Sequence, residues 1–182
     1  MRAMLESVAS RGYEGTTVPQ VVADAKVSRN AFYELFADKT ECFLAVCDQL
    51  AEEVLGDIAN PTEDTWREAL RAGTQRYLQW WQDRPAFSRT YFVELPAAGV
   101  RAVEQRDRQY ARFVEMFDGL AAWAREQEPG LPPLGPLATK AVVLAVTELV
   151  AEEVRAGRTE RLTALAGDVV ELIVLMLAGR AA

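Results

Sequence analysis

Residues 17–39 read TVPQVVADAKVSRNAFYELFADK and contain two short segments with the apolar spacing of helices, 18–25 and 28–36. Thr17 and Ser28 each stand just before one of these segments. A hydroxyl at that position can accept a hydrogen bond from a free backbone N–H at the helix N-terminus. Since two short helices joined by a three-residue turn cross steeply, the pattern predicts a helix-turn-helix.

The second segment is predicted to present a polar outer side near its start, formed by Ser28, Arg29, Asn30 and Tyr33. Val27, Phe32 and Phe36 are predicted to pack inward. Polar residues at the start of the second helix are how a helix-turn-helix reads the major groove of DNA. Plain packing of two helices can give the same geometry, so this stretch alone leaves both interpretations open.

Positions in and around this stretch resemble the TetR family of transcriptional repressors. The matching residues, in order and spacing, are Gly12-Tyr13, Thr16-Thr17-Val18, Ala23, Ala25, Val27-Ser28, Tyr33, Phe36 and Lys39. Beyond them only the pattern of helices is similar. The resemblance implies a helix-turn-helix DNA-binding domain at residues 1–45 and a helical ligand-binding and dimerisation domain at residues 46–182.

The same resemblance implies which residues contact DNA: Thr17, Lys26, Ser28, Arg29, Asn30, Tyr33 and Lys39. Among them, Thr17, Tyr33 and Lys39 match phosphate-contacting positions of the family. Ala31 replaces a common threonine and Leu35 a common histidine or tyrosine, so two frequent DNA contacts are absent. Family members also carry a further helical turn and a basic arm ahead of the first helix, which raises the hypothesis of a longer N-terminus.

The net charge of −7 argues against non-specific coating of nucleic acid, because such binding depends on lysine and arginine. The few cations are nevertheless well placed, since Lys26, Arg29 and Lys39 all fall on the proposed DNA face. Lys26 stands where the family usually has a turn glycine. We therefore expect binding to double-stranded DNA that rests on few contacts and depends strongly on salt.

The rest of the chain is patterned as helices, which predicts an all-α fold of about nine helices. Besides 18–25 and 28–36, the predicted segments are 1–11, 39–59, 64–83, 85–95, 100–127, 137–155 and 159–179, with a proline-rich loop at 128–136. The last two helices are apolar on most sides (AVVLAV and VVELIVLMLA). Such helices must be covered on several faces, so a homodimer through residues 137–179, built as a four-helix bundle, is predicted.

Aromatic residues concentrate in the central helices. Packing in the core explains any single ring. The resemblance favours a pocket in the same region for a small, largely apolar or aromatic effector. The candidate lining residues are Tyr77, Trp80, Trp81, Tyr91, Phe92, Glu94, Phe113 and Phe117.

Catalytic chemistry has little support in the composition. The chain has no histidine, which excludes histidine bases and histidine-bearing zinc sites, and no glycine-rich phosphate loop precedes a helix. We therefore predict no enzyme activity, no catalytic residue, no metal and no cofactor. Cys42 and Cys47 fit buried, reduced thiols in a cytoplasmic protein. No apolar run long enough to span a membrane is free of charge, so no membrane partner is expected.

The sequence thus predicts a dimeric regulator, most simply a repressor, that binds a pseudo-palindromic operator and leaves it when a small molecule binds. The alternative is a dimeric helical ligand-binding or scaffolding protein whose DNA contacts have decayed. Ala31 and Leu35 favour that alternative.

Overall fold

The computed structural model describes residues 1–178, with the side chain of Pro136 left aside, and all regular structure in that part of the chain is helical. The α-helices are α1 (Arg2–Gly15), α2 (Val18–Ala25), α3 (Arg29–Leu35), α4 (Lys39–Ile58), α5 (Trp66–Gln82), α6 (Pro85–Arg89), α7 (Val100–Gln127), α8 (Pro136–Arg155) and α9 (Ala166–Ala178). The predicted all-α fold with about nine helices is confirmed for residues 1–178. Residues 179–182, the end of the predicted dimerisation segment and of the second domain, lie outside the described part. No described helix is both long and apolar enough to cross a lipid bilayer.

Polar side chains fix where α2, α3 and α4 begin. The Gln20 side-chain oxygen accepts from the backbone N–H of Thr17 at 2.9 Å. The hydroxyl of Ser28 accepts from the N–H of Ala31 at 3.0 Å, as predicted for this cap. Asp38 does the same for α4, accepting from the N–H of Glu41 at 2.7 Å. Each contact satisfies an N–H that the helix itself cannot use, so three successive starts are set by local sequence.

The first helix is longer than predicted and bent. Gly12 adopts φ 74° and ψ 166°, a conformation open to glycine and strained for other residues, and a last short turn continues to Gly15. The glycine therefore redirects α1 where the sequence had predicted its end.

The helix-turn-helix packs on α1 and α4 around a small apolar core. Its members include Leu5 and Val8 of α1, Val22 of α2, Phe32 of α3 and Phe43 of α4. We call α1, α2, α3 and the N-terminal half of α4 the head. The same apolar cluster continues past α4 into the rings of α5 and of the segment after α6, so the head rests on the remainder of the molecule through a shared core.

Two segments predicted as single helices change type along their length. After α6, residues Thr90–Glu94 form a π-helical turn and Leu95–Ala98 a 3₁₀ turn. Before α9, Thr159–Leu165 is a 3₁₀ helix. There the Gln82 side-chain oxygen accepts from both the backbone N–H and the hydroxyl of Thr163, at 3.0 and 2.9 Å. A contact with α5 thus shapes a segment that periodicity alone assigned to one helix.

Candidate functional site

The outer face of α2 and α3 carries nearly all the residues predicted to contact DNA. The exposed ones are Thr17, Lys26, Ser28, Arg29, Asn30 and Tyr33. Only Phe32 of α3 is buried. Arg29 and Tyr33 lie one turn apart on the same side of α3, so both can reach one groove. Val27, which was predicted to pack inward, is 49% exposed, and that prediction was wrong because the turn lifts Val27 away from the core.

Lys39 differs from the other predicted contacts because it is engaged inside the head. Its ammonium donates to the backbone carbonyl of Tyr13 at 2.8 Å and lies 4.1 Å from the centre of the Tyr13 ring. The Tyr13 hydroxyl lies 2.8 Å from the hydroxyl of Thr40. Lys39 therefore braces α4 against α1, and a contact with a DNA phosphate would share this ammonium with the brace.

The positive charge of the face comes from two exposed side chains. Within residues 1–178, neither Lys26 nor Arg29 forms an ion pair. Arg11, by contrast, is paired with Asp24 at 2.9 Å. Lys26 also occupies the left-handed region (φ 55°, ψ 40°) at the end of α2, which explains why the resembling family prefers glycine there.

A cavity of about 410 Å³ lies in the other half of the molecule, between the end of α4 and helices α5, α7, α8 and α9. Its wall is mainly apolar. Of the predicted lining residues, the structure brings Tyr77, Phe113 and Phe117 together in this wall. Thr74 and Thr147 are polar residues in the wall, and the Thr147 hydroxyl donates to the carbonyl of Val143 at 2.7 Å. Glu115 is the one charged side chain among the described lining residues.

Tyr77 is set deep in the molecule but keeps accessible surface because it faces the cavity. Burial raises the pKa of its hydroxyl. The phenol therefore stays neutral at physiological pH and offers a hydrogen bond rather than a charge.

The other five predicted lining residues lie elsewhere. Trp81, Tyr91 and Phe92 are buried in the core shared with the head, with ring centres 4.7–5.2 Å apart. Trp80 packs its ring under the Arg84 guanidinium, 4.5 Å away, beside a separate open groove. Glu94 points at α1. The cavity spans the part of α5 up to Tyr77, and one helical turn further the same face already meets the segment after α6. These five residues therefore do not line this cavity, and their assignment as ligand contacts stays a prediction.

Sequence reasoning missed several apolar lining residues, among them Leu70, Met116, Leu120 and Trp123. A signal for them existed in two glycines. Gly73 and Gly119 lie inside long helices, where glycine costs about 1 kcal/mol relative to alanine. Both line the cavity, and a Cβ on either would meet no atom within 4 Å. A glycine in a helix interior is not a sufficient signal by itself, however, because Gly56 of α4 has equally free space and does not line the cavity.

A row of polar contacts holds α7 against α4 on the head side of the cavity. The Gln105 side-chain amide donates to the carbonyl of Leu44 at 2.6 Å, and Gln109 donates to Asp48 at 2.7 Å. Arg112 and Glu52 then form an ion pair. Past Glu52 the two helices face each other across the cavity. α4 is thus fixed along its head half and borders empty space at its end.

Residues 1–46 match the family described as bacterial regulatory proteins, tetR family. No curated protein sequence matches the chain significantly.

Solved structures share the fold over nearly the whole chain. The regulator FadR of Bacillus subtilis in complex with stearoyl-CoA has a TM-score of 0.80 and 19% identity, with 96% of each chain covered. The fatty acid degradation regulator FadR of Bacillus halodurans has a TM-score of 0.79 and 18% identity, covering 98% of this chain and 94% of that one. A tetR-family regulatory protein from Rhodococcus RHA1 has a TM-score of 0.73 and 21% identity, covering 97% and 94%. The chain therefore matches the tetR family of bacterial regulatory proteins over residues 1–46, and it shares its fold with these solved regulators over nearly the whole chain.

Proposed function

We propose that the protein is a homodimeric repressor that binds a pseudo-palindromic operator and is released from it by a small, largely apolar or aromatic molecule. The observation that carries the proposal is the position of α4. This single helix begins in the head at Lys39 and ends at Ile58, in the cavity wall. A ligand that moves the end of α4 therefore acts on the element that holds the head.

The DNA side of the proposal rests on the exposed face of α2 and α3. Arg29 at the start of α3 suits the edge of a guanine, and Tyr33 one turn later suits a phosphate. A dimer places two such faces against half-sites one helical turn, or a multiple, apart, so a small change in their separation abolishes simultaneous binding.

The wall of the cavity supports an effector whose buried part is uncharged. None of the described lining residues is a lysine or arginine, so an anionic group inside the cavity would lack a counter-charge. The stearoyl-CoA bound by the similar Bacillus subtilis protein has an alkyl tail of the kind that this wall could accept. We propose an alkyl or aryl group as the buried part, with its polar atom at Thr74 or Tyr77.

The dimer is proposed through α8 and α9. Leu137 and Leu144, two turns apart on α8, are 80% and 43% exposed, and Leu175 on α9 is 63% exposed. Exposed leucines on the two most apolar helices favour a covered surface there. Residue 179, at the limit of the proposed interface, is outside the described chain.

The test combines two measurements. In a thermal-shift assay, decanol should raise the melting temperature more than decanoate does, and glucose should have no effect, because a ligand that binds only the folded state stabilises it. In a gel shift at low salt, the protein should retard the DNA flanking its own gene, and decanol should release it. Stabilisation by glucose alone would contradict the apolar cavity.

A second candidate function is ligand binding in the cavity without DNA binding. Leu35, which replaces a frequent DNA contact, is 73% exposed on α3 and offers no polar group to a phosphate. A protein that binds decanol but retards no DNA at low salt would be the dimeric ligand-binding protein.

A further inference from the structure

One hydrogen bond joins the end of α1 to a residue far along the chain. The backbone N–H of Tyr13 donates to the carboxylate of Glu94, 81 residues further along, at 2.9 Å. The side chain of Glu94 is 13% exposed, and its other oxygen lies 3.4 Å from the Arg89 guanidinium. A carboxylate that accepts from a backbone N–H in a sheltered place forms one of the stronger hydrogen bonds in proteins.

Gly12 makes this contact possible. Its positive φ turns α1 just before Tyr13, and a Cβ at this position would stand 3.2 Å from the nearer oxygen of Glu94. The bend of α1 and the approach of the carboxylate therefore depend on the same glycine.

Tyr13 in turn is the point at which the head is braced. Its carbonyl and ring receive the Lys39 ammonium, and its hydroxyl reaches Thr40, so it joins the end of α1 to the start of α4. Whatever holds the N–H of Tyr13 consequently sets the orientation of α1 and α4 together, and α2 and α3 pack on these helices.

Glu94 belongs to a part of the chain outside the head. It ends the π-helical turn Thr90–Glu94, and such turns are often found at functional sites. Tyr91 and Phe92 of this turn pack on Trp81. The Trp81 ring centre lies 6.3 Å from that of Tyr77, which lines the cavity. One layer of rings therefore separates Glu94's segment from the cavity wall.

We propose that Glu94 is a positioning residue for DNA binding, whose carboxylate holds α1 through the N–H of Tyr13 and so fixes the head in the orientation that an operator requires. The inference rests on the proposed function for its DNA step, and on the contact alone for the step within the protein. Without the carboxylate the head samples other orientations, and the apparent affinity for DNA falls with the fraction that remains competent.

The first experiment measures hydrogen exchange at the Tyr13 amide in the full-length protein. Glu94→Ala should speed this exchange about ten- to a hundredfold, the factor for one hydrogen bond to a charged group. Glu94→Gln keeps an acceptor oxygen without the charge, so it should speed the exchange by only about three- to tenfold. Glu104→Ala, which removes an exposed glutamate of α7, is the matched control and should change nothing. Unchanged exchange in Glu94→Ala would overturn the proposal.

The second experiment measures binding to the DNA flanking the gene by gel shift, with circular dichroism and light scattering as checks on fold and assembly. Glu94→Ala should bind about tenfold more weakly or worse, without a change in sequence preference, and Glu94→Gln should restore binding. Failure of Glu94→Gln to restore binding, or full binding by Glu94→Ala, would overturn the positioning role. If wild type itself retards no DNA, the proposed function fails, while the exchange measurement still decides the contact.

Discussion

The head and the cavity region differ in what their structures depend on. In the head, individual side chains fix each element: the cap at Ser28, the cap at Asp38 and the brace of Lys39 on Tyr13. In the cavity region, the decisive feature is an unfilled volume, which Gly73 of α5 and Gly119 of α7 both border and where a Cβ on either would meet no atom within 4 Å. The structure of the head thus depends on specific side-chain contacts, whereas the cavity depends on positions that carry no side chain.

The largest expected difference between the two regions is in the loss of unfolding free energy when one phenylalanine in each is replaced by alanine. Phe43 is fully buried in the head, so Phe43→Ala should lower the free energy of unfolding by about 3–5 kcal/mol. Phe117 already borders a void, and Phe117→Ala should cost only about 1–2 kcal/mol because fewer contacts are lost. Urea denaturation of both variants measures the difference. Equal losses would mean that the cavity wall is packed as tightly as the head.

Charges on the outer surface of the cavity region should break the proposed dimer without unfolding the protomer. Leu144→Glu combined with Leu175→Glu places unpaired carboxylates in that interface and should weaken association by about 2–5 kcal/mol. Ile173 is unsuitable for this purpose, since it is buried within the protomer and lines the cavity. Light scattering at micromolar concentration tests the prediction, with Val100→Glu, at a 74% exposed position on α7, as the control. A dimer in the double variant would place the interface elsewhere.

Two substitutions on α3 should distinguish residues that contact DNA bases from residues that contact DNA phosphates. Arg29→Ala should reduce discrimination between operator sequences by about 1–3 kcal/mol per half-site, because it removes a bidentate donor to a base. Tyr33→Phe should weaken all sequences alike, because it removes a phosphate contact. Gel shifts on matched and altered half-sites give both values. A uniform loss in Arg29→Ala would show that Arg29 contacts only the backbone.

Adding a methyl group inside the cavity should stabilise the protein and weaken ligand binding. Gly119→Ala should raise the free energy of unfolding by about 0.5–1 kcal/mol, since alanine is the better helix former and the new methyl group has free space. The same methyl group should reduce the stabilisation by decanol. Gly56→Ala, in α4 and away from the cavity wall, controls for the helix propensity alone. If both variants bind decanol equally well, the ligand does not occupy this cavity.

The two regions also differ in how far sequence predicts them. Caps and apolar periodicity are local, so the positions of α2 and α3 and the role of Ser28 could be predicted directly. Glu94 could not, because its partner is a backbone N–H 81 residues away that carries no sequence signal. Trp81 and Phe92 were assigned to a pocket because periodicity predicts only that a helix face points inward. It does not predict whether that face meets other side chains or an empty cavity.

The two cysteines of α4 give the head a chemical property of its own. Burial raises the pKa of the Cys42 thiol to about 11, and burial followed by the neighbouring Asp48 raises that of Cys47 further. The thiolate is the reactive form, so a maleimide or disulfide reagent should not react with these thiols in the folded head. It should modify them only while the head is locally unfolded. Because the chain has no other cysteine, the rate of alkylation reports the opening of this region alone. The molecule thus carries an intrinsic label with which the opening of the head can be timed.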